Sequence, residues 1–467
     1  MASAFIPKAG QAHFKVAVLA GVRRHQDSLM STFLALDIGS SSVIAGILQG
    51  KKTIAEAPRV FFKTRHNGGH VDVDADEMIG AVQRAIAGLE GKAKGVDAIA
   101  LAVMSPAWVA MDAKGRALTP IVTHQDRRSV EIATEIEKRV GKARHLKIVG
   151  SRPFPGGISS TTWAWYLKHE PRRLARADLV GHLNTFLHRR LTGARVTDPS
   201  NASFTGLYKT LTLGGWSEEM CEAIGVKQSL LPEVLDANVI AGSITPEAAE
   251  TLGLVAGTPM MTGLMDGSAG MLTAGANHGQ LFNVCGSTDV LALCTENPRP
   301  HEKLLTRALG IGRKWLAVST MAAVASAIYW ARDQIFREMS IPQFQAEFFR
   351  LARIGAKASG GVVFQPYMAG ERTSIEQRRG AFTGLTLATT RENILSAIME
   401  GLISASAERF PLLEGTGTPM LPTVVVSGGA DRLDTLMHRD WPGKWKFRAV
   451  TDATMRGLGT LTPVPRG

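Results

Sequence analysis

The chain has 467 residues, of which 45% are apolar, 20% charged and 6% aromatic, and its formal net charge is +12. This composition excludes a disordered or fibrous chain and is typical of a globular protein with two or three domains. The basic residues are scattered in pairs, so the charge fits an anionic small molecule at least as well as nucleic acid, and no nucleic-acid partner is expected. No apolar run is long enough to cross a bilayer, and no membrane partner is expected.

Residues 1–30 differ from the rest of the chain because they hold four basic residues and one acid. Met30 opens the sequence MSTFLALDIG, so this segment is expected to be an over-extended start or a disordered leader, with an organelle transit peptide as the alternative. The cysteines Cys221, Cys285 and Cys294 show no C-x-x-C spacing. They argue against disulfides and a zinc site and favour a reducing, cytoplasmic compartment.

Strand-like runs alternate with helix-like segments along the chain, which predicts the α/β class. In chain order, the predicted strands are Ile99–Met104, Val109–Met111, Met260–Met265, Leu281–Val284 and Val424–Ser427. The predicted helices are Ser129–Val140, Ser159–His169, Leu179–Leu191 and Glu392–Glu408.

Two stretches about half the chain apart share one pattern. LALDIGSSSVIAGIL and LFNVCGSTDVLALC each read as a strand, a Gly-Ser-Ser/Thr turn and a second strand. Two related halves, each opening with a tight hairpin, would explain this repeat, although Gly-Ser turns also recur in unrelated hairpins.

Such a turn exposes successive backbone N–H groups and hydroxyls, which can cradle phosphate oxygens. Asp37 precedes the first turn and is a candidate ligand of Mg²⁺, which prefers oxygen ligands and keeps several waters. Asp266 follows the apolar run MMTGLM and lies between small residues, as a general base would, although its spacing alone favours the N-cap of the following helix. Neither a P-loop nor a Rossmann fingerprint is present.

A series of motifs resembles that of the FGGY carbohydrate kinases, from about Phe33 to Leu461. The motifs are LALDIGSSS, PIVTHQDRRS, WAWYLKHEP, TDPSNASFTGLYKT, GTPMMTGLMDGSAG, VCGSTDV and FQPYMAGERT. The stretch Gly380–Glu400 (GAFTGLTLATTRENILSAIME) matches the family's second signature most closely.

The resemblance implies two actin-like (RNase H-like) domains with a cleft between them, here 31–273 on the sugar side and 274–467 on the nucleotide side. It implies an ATP-dependent kinase that phosphorylates a hydroxyl of a ketose such as xylulose, or of a polyol or sugar acid. ATP and Mg²⁺ would be required, and a homodimer is one possible assembly.

The resemblance also assigns roles to residues. Asp266 takes the place of the catalytic base beside the sugar, and Asp37 that of the Mg²⁺ ligand. The other residues fall into two groups, the nucleotide contacts and the sugar-side contacts. The first group is Gly39, Ser40, Ser41, Gly286, Ser287, Thr288, Gly428, Gly429 and Ala430, and the second is Gln125, Asp126 and Arg128.

The sequence also departs from the family pattern. Ile44 stands where many members carry Lys or Arg, and VMSPAWV (Val103–Val109) replaces a stretch with a sugar-contacting histidine. The C-terminal end is shorter than in many members. These departures leave open a non-catalytic, actin-like sensor or scaffold that binds nucleotide or sugar. Glu371 and Arg372, in GERT, are expected to form a buried ion pair.

Overall fold

The computed structural model describes residues 31–428 and 433–467. Up to residue 274, its strands are β1 (Thr32–Ile38), β2 (Ser42–Gln49), β3 (Lys52–Glu56), β4 (Val60–Phe61), β5 (Thr64–Asn67), β6 (His70–Val73), β7 (Ala98–Val103), β8 (Ala107–Met111), β9 (Ile121–Thr123), β10 (Leu179–Gly181), β11 (Val196–Thr197), β12 (Glu233–Val234), β13 (Ile240–Ser243), β14 (Pro259–Met261) and β15 (Leu264–Met265). The helices of this half are α1 (Ala75–Ala87), α2 (Val130–Val140), α3 (Lys142–Val149), α4 (Ser159–His169), α5 (Pro171–Leu174), α6 (Leu183–Leu191), α7 (Pro199–Ala202), α8 (Glu218–Ile224), α9 (Pro246–Leu252) and α10 (Asp266–Ala274).

The second half continues the alternation of strands and helices. Its strands are β16 (Leu281–Cys285), β17 (Asp289–Thr295), β18 (Leu305–Ala308), β19 (Trp315–Met321), β20 (Val363–Gln365), β21 (Ala381–Thr383), β22 (Thr423–Ser427) and β23 (Lys446–Ala449). Its helices are α11 (Ala325–Ile335), α12 (Ile341–Ile354), α13 (Arg391–Ala407), α14 (Arg409–Glu414), α15 (Leu433–Met437) and α16 (Ala453–Leu458). Within the described residues, none of the helices combines the length and the apolarity that a membrane span needs.

The main sheet of each half has the same arrangement around its hairpin. In the first half, β1 pairs antiparallel with β2 and parallel with β7, and β2 pairs with β3. In the second half, β16 pairs antiparallel with β17 and parallel with β22, and β17 pairs with β19. Both predicted hairpins are therefore present, and each lies at the centre of a sheet.

A second sheet in the first half has the order β10-β8-β9-β6-β5 and carries the segment that follows β9. This segment, 124–129, contains the predicted sugar-side residues. Because β7 and β8 are joined by only three residues, the second sheet continues directly from the main sheet.

The predicted element Leu179–Leu191 is wrong in its first part. Leu179–Gly181 is a strand paired with Met111–Val109, and the helix begins only at Leu183. These three residues are buried, and so short an apolar run fits a strand as well as a helix, so local sequence could not separate the two. The predicted strand Met260–Met265 is interrupted at Gly263, where a Cβ would lie 2.5 Å from the Leu101 carbonyl oxygen.

The end of the chain returns to the first half. Helix α16 packs on α10, and the Thr273 hydroxyl donates to the Ala453 carbonyl oxygen at 2.6 Å. Further on, the Ile240 N–H donates to the Val464 carbonyl oxygen at 2.8 Å. The last residues thus pack on strands of the first half, although the sequence-based boundary groups them with the second.

Candidate functional site

The first hairpin, between β1 and β2, presents an open turn. The Gly39 N–H donates to the Ser42 carbonyl oxygen at 3.0 Å, and Ser40 and Ser41 are exposed. A Cβ built on Gly39 would find only that carbonyl oxygen, at 3.8 Å. The space in front of the turn is therefore free for a ligand that approaches the backbone.

The second hairpin, between β16 and β17, is equally open. The Gly286 N–H donates to the Thr288 carbonyl oxygen at 2.8 Å, and a Cβ on Gly286 would meet nothing within 4 Å. The Ser287 carbonyl oxygen accepts from the Val324 N–H at 2.8 Å, at the start of α11. The positive end of this helix therefore lies beside the turn, where it favours an anion.

Gly428 follows β22 at the same end of the sheet. Its φ is 129°, a conformation that glycine tolerates and other residues rarely adopt. A Cβ there would lie 2.1 Å from the Cys285 carbonyl oxygen, so the two strand ends meet backbone to backbone. The predicted nucleotide contacts Gly429 and Ala430 lie outside the described residues.

Asp37 is the last residue but one of β1, beside the first turn. The pKa of its carboxyl is raised to about 7, chiefly by burial and also by the nearby Asp266 and Asp452 carboxylates. The Arg59 guanidinium and a hydrogen bond from Thr454 act in the opposite direction. A buried carboxylate among other carboxylates would be stabilised by a bound cation.

Asp266 is the first residue of α10. Its Oδ1 accepts from the Gly267 N–H at 2.6 Å, but the N-cap of α10 is Met265, so the alternative prediction that Asp266 is the N-cap is wrong. Burial raises the pKa of this carboxyl to about 6, while the Gly267 hydrogen bond and the Arg372 guanidinium lower it. This one hydrogen bond leaves lone pairs of the carboxylate free, so Asp266 can also accept a proton.

A cavity of about 260 Å³ brings parts of both halves together. Three of the predicted site residues line it: Ser40 from the first hairpin, Thr288 from the second hairpin and Asp266 from α10. The polar lining that sequence reasoning missed consists of Ser105, His124, Arg307, Thr320, Arg372, Ser427 and Thr454.

Three predicted sugar-side residues do not line this cavity. Asp126 and Arg128 form a buried ion pair at 2.9 Å, and Asp126 also accepts from the Val71 N–H at 2.7 Å. The Arg128 guanidinium binds Asp72 at 2.9 Å, and Gln125 is exposed. This ion pair fixes the segment so that its neighbour His124 faces the cavity.

The expected ion pair between Glu371 and Arg372 is wrong. Glu371 pairs with Arg378 at 2.7 Å, whereas Arg372 turns into the cavity. The side chains of the adjacent residues Glu371 and Arg372 therefore point in different directions. The motif GERT itself gave no signal for this.

Arg59 is a second cation that local sequence did not reveal. Its guanidinium donates to the Ser42 hydroxyl at 3.4 Å, directly after the first turn. The Ala57 N–H donates to the Ala45 carbonyl oxygen, and Val60 pairs with Val43. Two residues, Pro58 and Arg59, therefore lie opposite the single residue Ile44. This is a β-bulge, a device that re-aims a side chain.

The residues around Asp37 fit a hard cation only in part. Among the described residues, no group of three or more His, Cys, Asp or Glu side chains is arranged to hold a metal. Mg²⁺ is commonly held by one or two carboxylates together with water and substrate phosphates, and Asp37 beside the first turn satisfies that donor set.

Two family models together cover most of the chain. The N-terminal domain of the FGGY family of carbohydrate kinases matches residues 32–273, and the C-terminal domain matches residues 281–438.

Individual relatives agree with these matches. The chain is 25% identical to xylulose kinase of Escherichia coli over 407 residues, which is 85% of this chain and 82% of that protein. It is 29% identical to glycerol kinase of Dechloromonas aromatica over 471 residues, covering 95% of this chain and 90% of that protein.

Solved structures show the same fold. The crystal structure of xylulose kinase from Rhodospirillum rubrum superposes with a TM-score of 0.80 at 22% identity, covering 92% of this chain and 88% of that one. The predicted architecture of two actin-like domains is thereby confirmed. The protein belongs to the FGGY family of carbohydrate kinases.

Proposed function

We propose that this ATP-dependent carbohydrate kinase carries out phosphoryl transfer in the cavity between its two hairpins. The observation that carries the proposal is that two open Gly-Ser turns and the half-buried carboxylate of Asp266 border one cavity. We further propose that residues 31–273 and 274–467 are the two domains, with the C-terminal segment docked on the first.

Asp266 is the proposed general base. Its carboxylate takes the proton of the acceptor hydroxyl as that oxygen forms a bond to the γ-phosphorus and the bond to the β,γ-bridging oxygen breaks. The products are the sugar phosphate and ADP. Little covalent work falls to the protein, so positioning and charge stabilisation dominate.

The two turns are the proposed phosphate contacts. Gly39, Ser40 and Ser41 offer N–H and hydroxyl donors from one side, and Gly286, Ser287 and Thr288 from the other. Gly428 is proposed to lie against the adenosine, together with Gly429 and Ala430.

Asp37 is the proposed carboxylate for Mg²⁺. The ion would neutralise phosphate charge during transfer. Arg59 is proposed to supply a positive charge at the first turn, where Ile44 supplies none, because its guanidinium already reaches the Ser42 hydroxyl.

On the sugar side, His124 and Ser105 are proposed to contact hydroxyls, since both line the cavity. A contact of Gln125, Asp126 or Arg128 with the sugar stays a prediction. Asp126 and Arg128 instead support His124 through their ion pair.

The non-catalytic alternative finds no support in the comparisons, whose named relatives are kinases. A cytoplasmic location is proposed because Cys221 and Cys294 are buried free thiols. A homodimer stays a prediction.

The test is ADP release from Mg·ATP with a panel of pentuloses, hexuloses, polyols and aldonic acids. The Asp266→Asn variant is measured beside the wild type, together with nucleotide affinity. We expect acceptor-dependent turnover that falls about 10²–10⁴-fold in the variant with nucleotide binding retained. Turnover at the wild-type rate would exclude Asp266 as the base, and the absence of turnover with every acceptor would refute the proposed reaction.

A further inference from the structure

Arg372 is an unpaired cation on the wall of the reaction cavity. Among residues 31–428 and 433–467, its guanidinium forms neither an ion pair nor a hydrogen bond with protein, and its Nε is buried without a partner. An unpaired buried charge is costly unless something else neutralises it. The cavity beside Arg372 is the place where a ligand can do so.

Arg372 is accompanied by other positive groups. Arg307, fully buried, also lines the cavity, and its guanidinium donates only to uncharged partners such as the Ser203 carbonyl oxygen at 3.2 Å and the Gly157 carbonyl oxygen at 3.3 Å. Arg127 lies near Arg372, and its Nε is buried without a partner. Burial and the neighbouring guanidinium lower the pKa of Arg372 to about 10, yet the group stays charged.

Two buried arginines outside the cavity are, by contrast, paired with carboxylates. Arg128, with a side chain 2% exposed, pairs with Asp126 and Asp72. Arg409, 4% exposed, pairs with Asp289 at 2.8 Å. The lack of a carboxylate partner therefore distinguishes the arginines of the cavity from these two.

Asp266 is the single carboxylate among the described residues that line the cavity. It accepts the proton of the acceptor hydroxyl in the proposed reaction, so it cannot serve as a permanent partner for Arg372. The wall therefore keeps an excess of positive charge in the place where the acceptor is expected to lie.

We propose that the acceptor is a sugar acid whose carboxylate is bound by the guanidinium of Arg372, with Arg127 and Arg307 adding positive potential. The inference rests on the proposed kinase reaction and names its substrate class. His124 completes the site, because burial and the neighbouring Arg372 and Arg127 lower its pKa well below the usual value and keep the imidazole neutral. Its unpartnered Nδ1 suits a sugar hydroxyl rather than an anion.

The phosphates of ATP are the other source of negative charge, but they have their own positive surroundings. Arg59 and the start of α11 accompany the two turns. His124 and Arg127, by contrast, come from the segment after β9 in the second sheet. Arg127 therefore adds positive potential near Arg372 from an element other than the two turns.

The experiment compares acceptors that differ only in the carboxylate, namely aldonates and the alditols of equal carbon number, with the corresponding ketoses as a third group. We expect aldonates to give the highest kcat/KM. In Arg372→Gln, kcat/KM for aldonates should fall roughly 10- to 100-fold while the value for neutral acceptors changes much less, since the charge-assisted bond is lost only with the acid. Arg127→Gln should show a smaller loss of the same selectivity.

Arg378→Gln is the matched control, because Arg378 belongs to the same loop but is half exposed and paired with Glu371. It should leave the preference unchanged. Preference for a neutral ketose or polyol would overturn the inference while the kinase reaction stands. Equal losses with all acceptors, or a rise in KM for ATP alone, would assign Arg372 to the phosphates and also overturn it. No turnover with any acceptor would refute the kinase reaction and the inference together.

Discussion

Arg59 lies across the strand pair from Ile44, in a bulge where two residues oppose one. Its guanidinium hydrogen-bonds the Ser42 hydroxyl and contributes to the electrostatic environment of Asp37. Ile44 carries no positive charge, and Arg59, 15 positions later in the sequence, places one beside the first turn.

We expect Arg59→Ala to raise KM for Mg·ATP roughly tenfold with little change in the KM of the acceptor, because one charge-assisted contact to phosphate is lost. Steady-state kinetics with each substrate varied in turn would measure this. Lys52→Ala, which removes an exposed cation from the neighbouring strand β3, should have no such effect.

A rescue sharpens this prediction. Ile44→Arg in the Arg59→Ala background should recover part of the affinity for ATP, since the two positions lie opposite each other beside the turn. If Arg59→Ala leaves KM for ATP unchanged, the guanidinium does not serve the phosphates. An unaltered melting temperature, expected for an exposed side chain, separates this result from misfolding.

The pH profile should report on Asp266. A general base acts in its ionised form, and the pKa of Asp266, the proposed base, is raised to about 6, so activity should fall as the pH drops through that value. Arg372 lowers this pKa, and Arg372→Gln should therefore move the acidic limb to higher pH. Measuring kcat/KM for the acceptor against pH in both proteins tests the direction, and a limb that stays in place would show that the two groups are not coupled.

Asp37→Asn should stabilise the free protein above neutral pH. The carboxyl's pKa is about 7 in the folded state against 3.8 for the unperturbed group, so the folded state binds the extra proton and stability is lost as the pH rises through this window. The amide removes the cost of the buried charge. It should also reduce the rise in melting temperature that Mg·ATP produces in the wild type.

Thermal melts at mildly acidic and mildly alkaline pH, with and without Mg·ATP, give the comparison. A variant that melts below the wild type at alkaline pH would show that the carboxylate is already compensated by protein groups. An unchanged response to Mg·ATP would exclude Asp37 as the carboxylate for the metal.

Local sequence predicted the framework of the site well. The two hairpins arise from strand residues flanking a small-residue turn, and both Gly39 and Gly286 lie where they were expected. Asp266 follows directly from the apolar run before it. Such features depend on neighbours in the chain, which is why they can be predicted from it.

The walls of the site depend on distant contacts and could not be predicted in this way. Arg372 lies on the cavity wall while the adjacent Glu371 pairs with Arg378, and a bulge turns Arg59 toward the first hairpin. Thr454 arrives from the last helix of the chain. No sequence motif at Arg372, Arg59 or Thr454 predicts the direction of the side chain.

The last helix contacts the helix of Asp266, the proposed catalytic carboxylate, at one close point. Gly457 of α16 crosses α10 at Ala269, three residues after Asp266, and a Cβ on Gly457 would lie 1.8 Å from the Ala269 carbonyl oxygen. Gly457→Ala should therefore force α16 away from α10, which displaces Thr454 and Asp266 together. We expect a loss of about 1–3 kcal/mol in the free energy of unfolding, the usual cost of overpacking, and a lower kcat.

Gly80→Ala is the matched control for this substitution. Gly80 also lies inside a helix, α1, but its Cβ would meet only the mobile end of the Arg84 side chain, at 3.2 Å. Alanine is favoured over glycine there by about 1 kcal/mol, so this variant should be neutral or more stable with unchanged turnover. Chemical denaturation and steady-state kinetics on both variants decide the matter. If Gly457→Ala behaves like Gly80→Ala, the C-terminal helix is not packed closely enough on α10 to hold Asp266 in place.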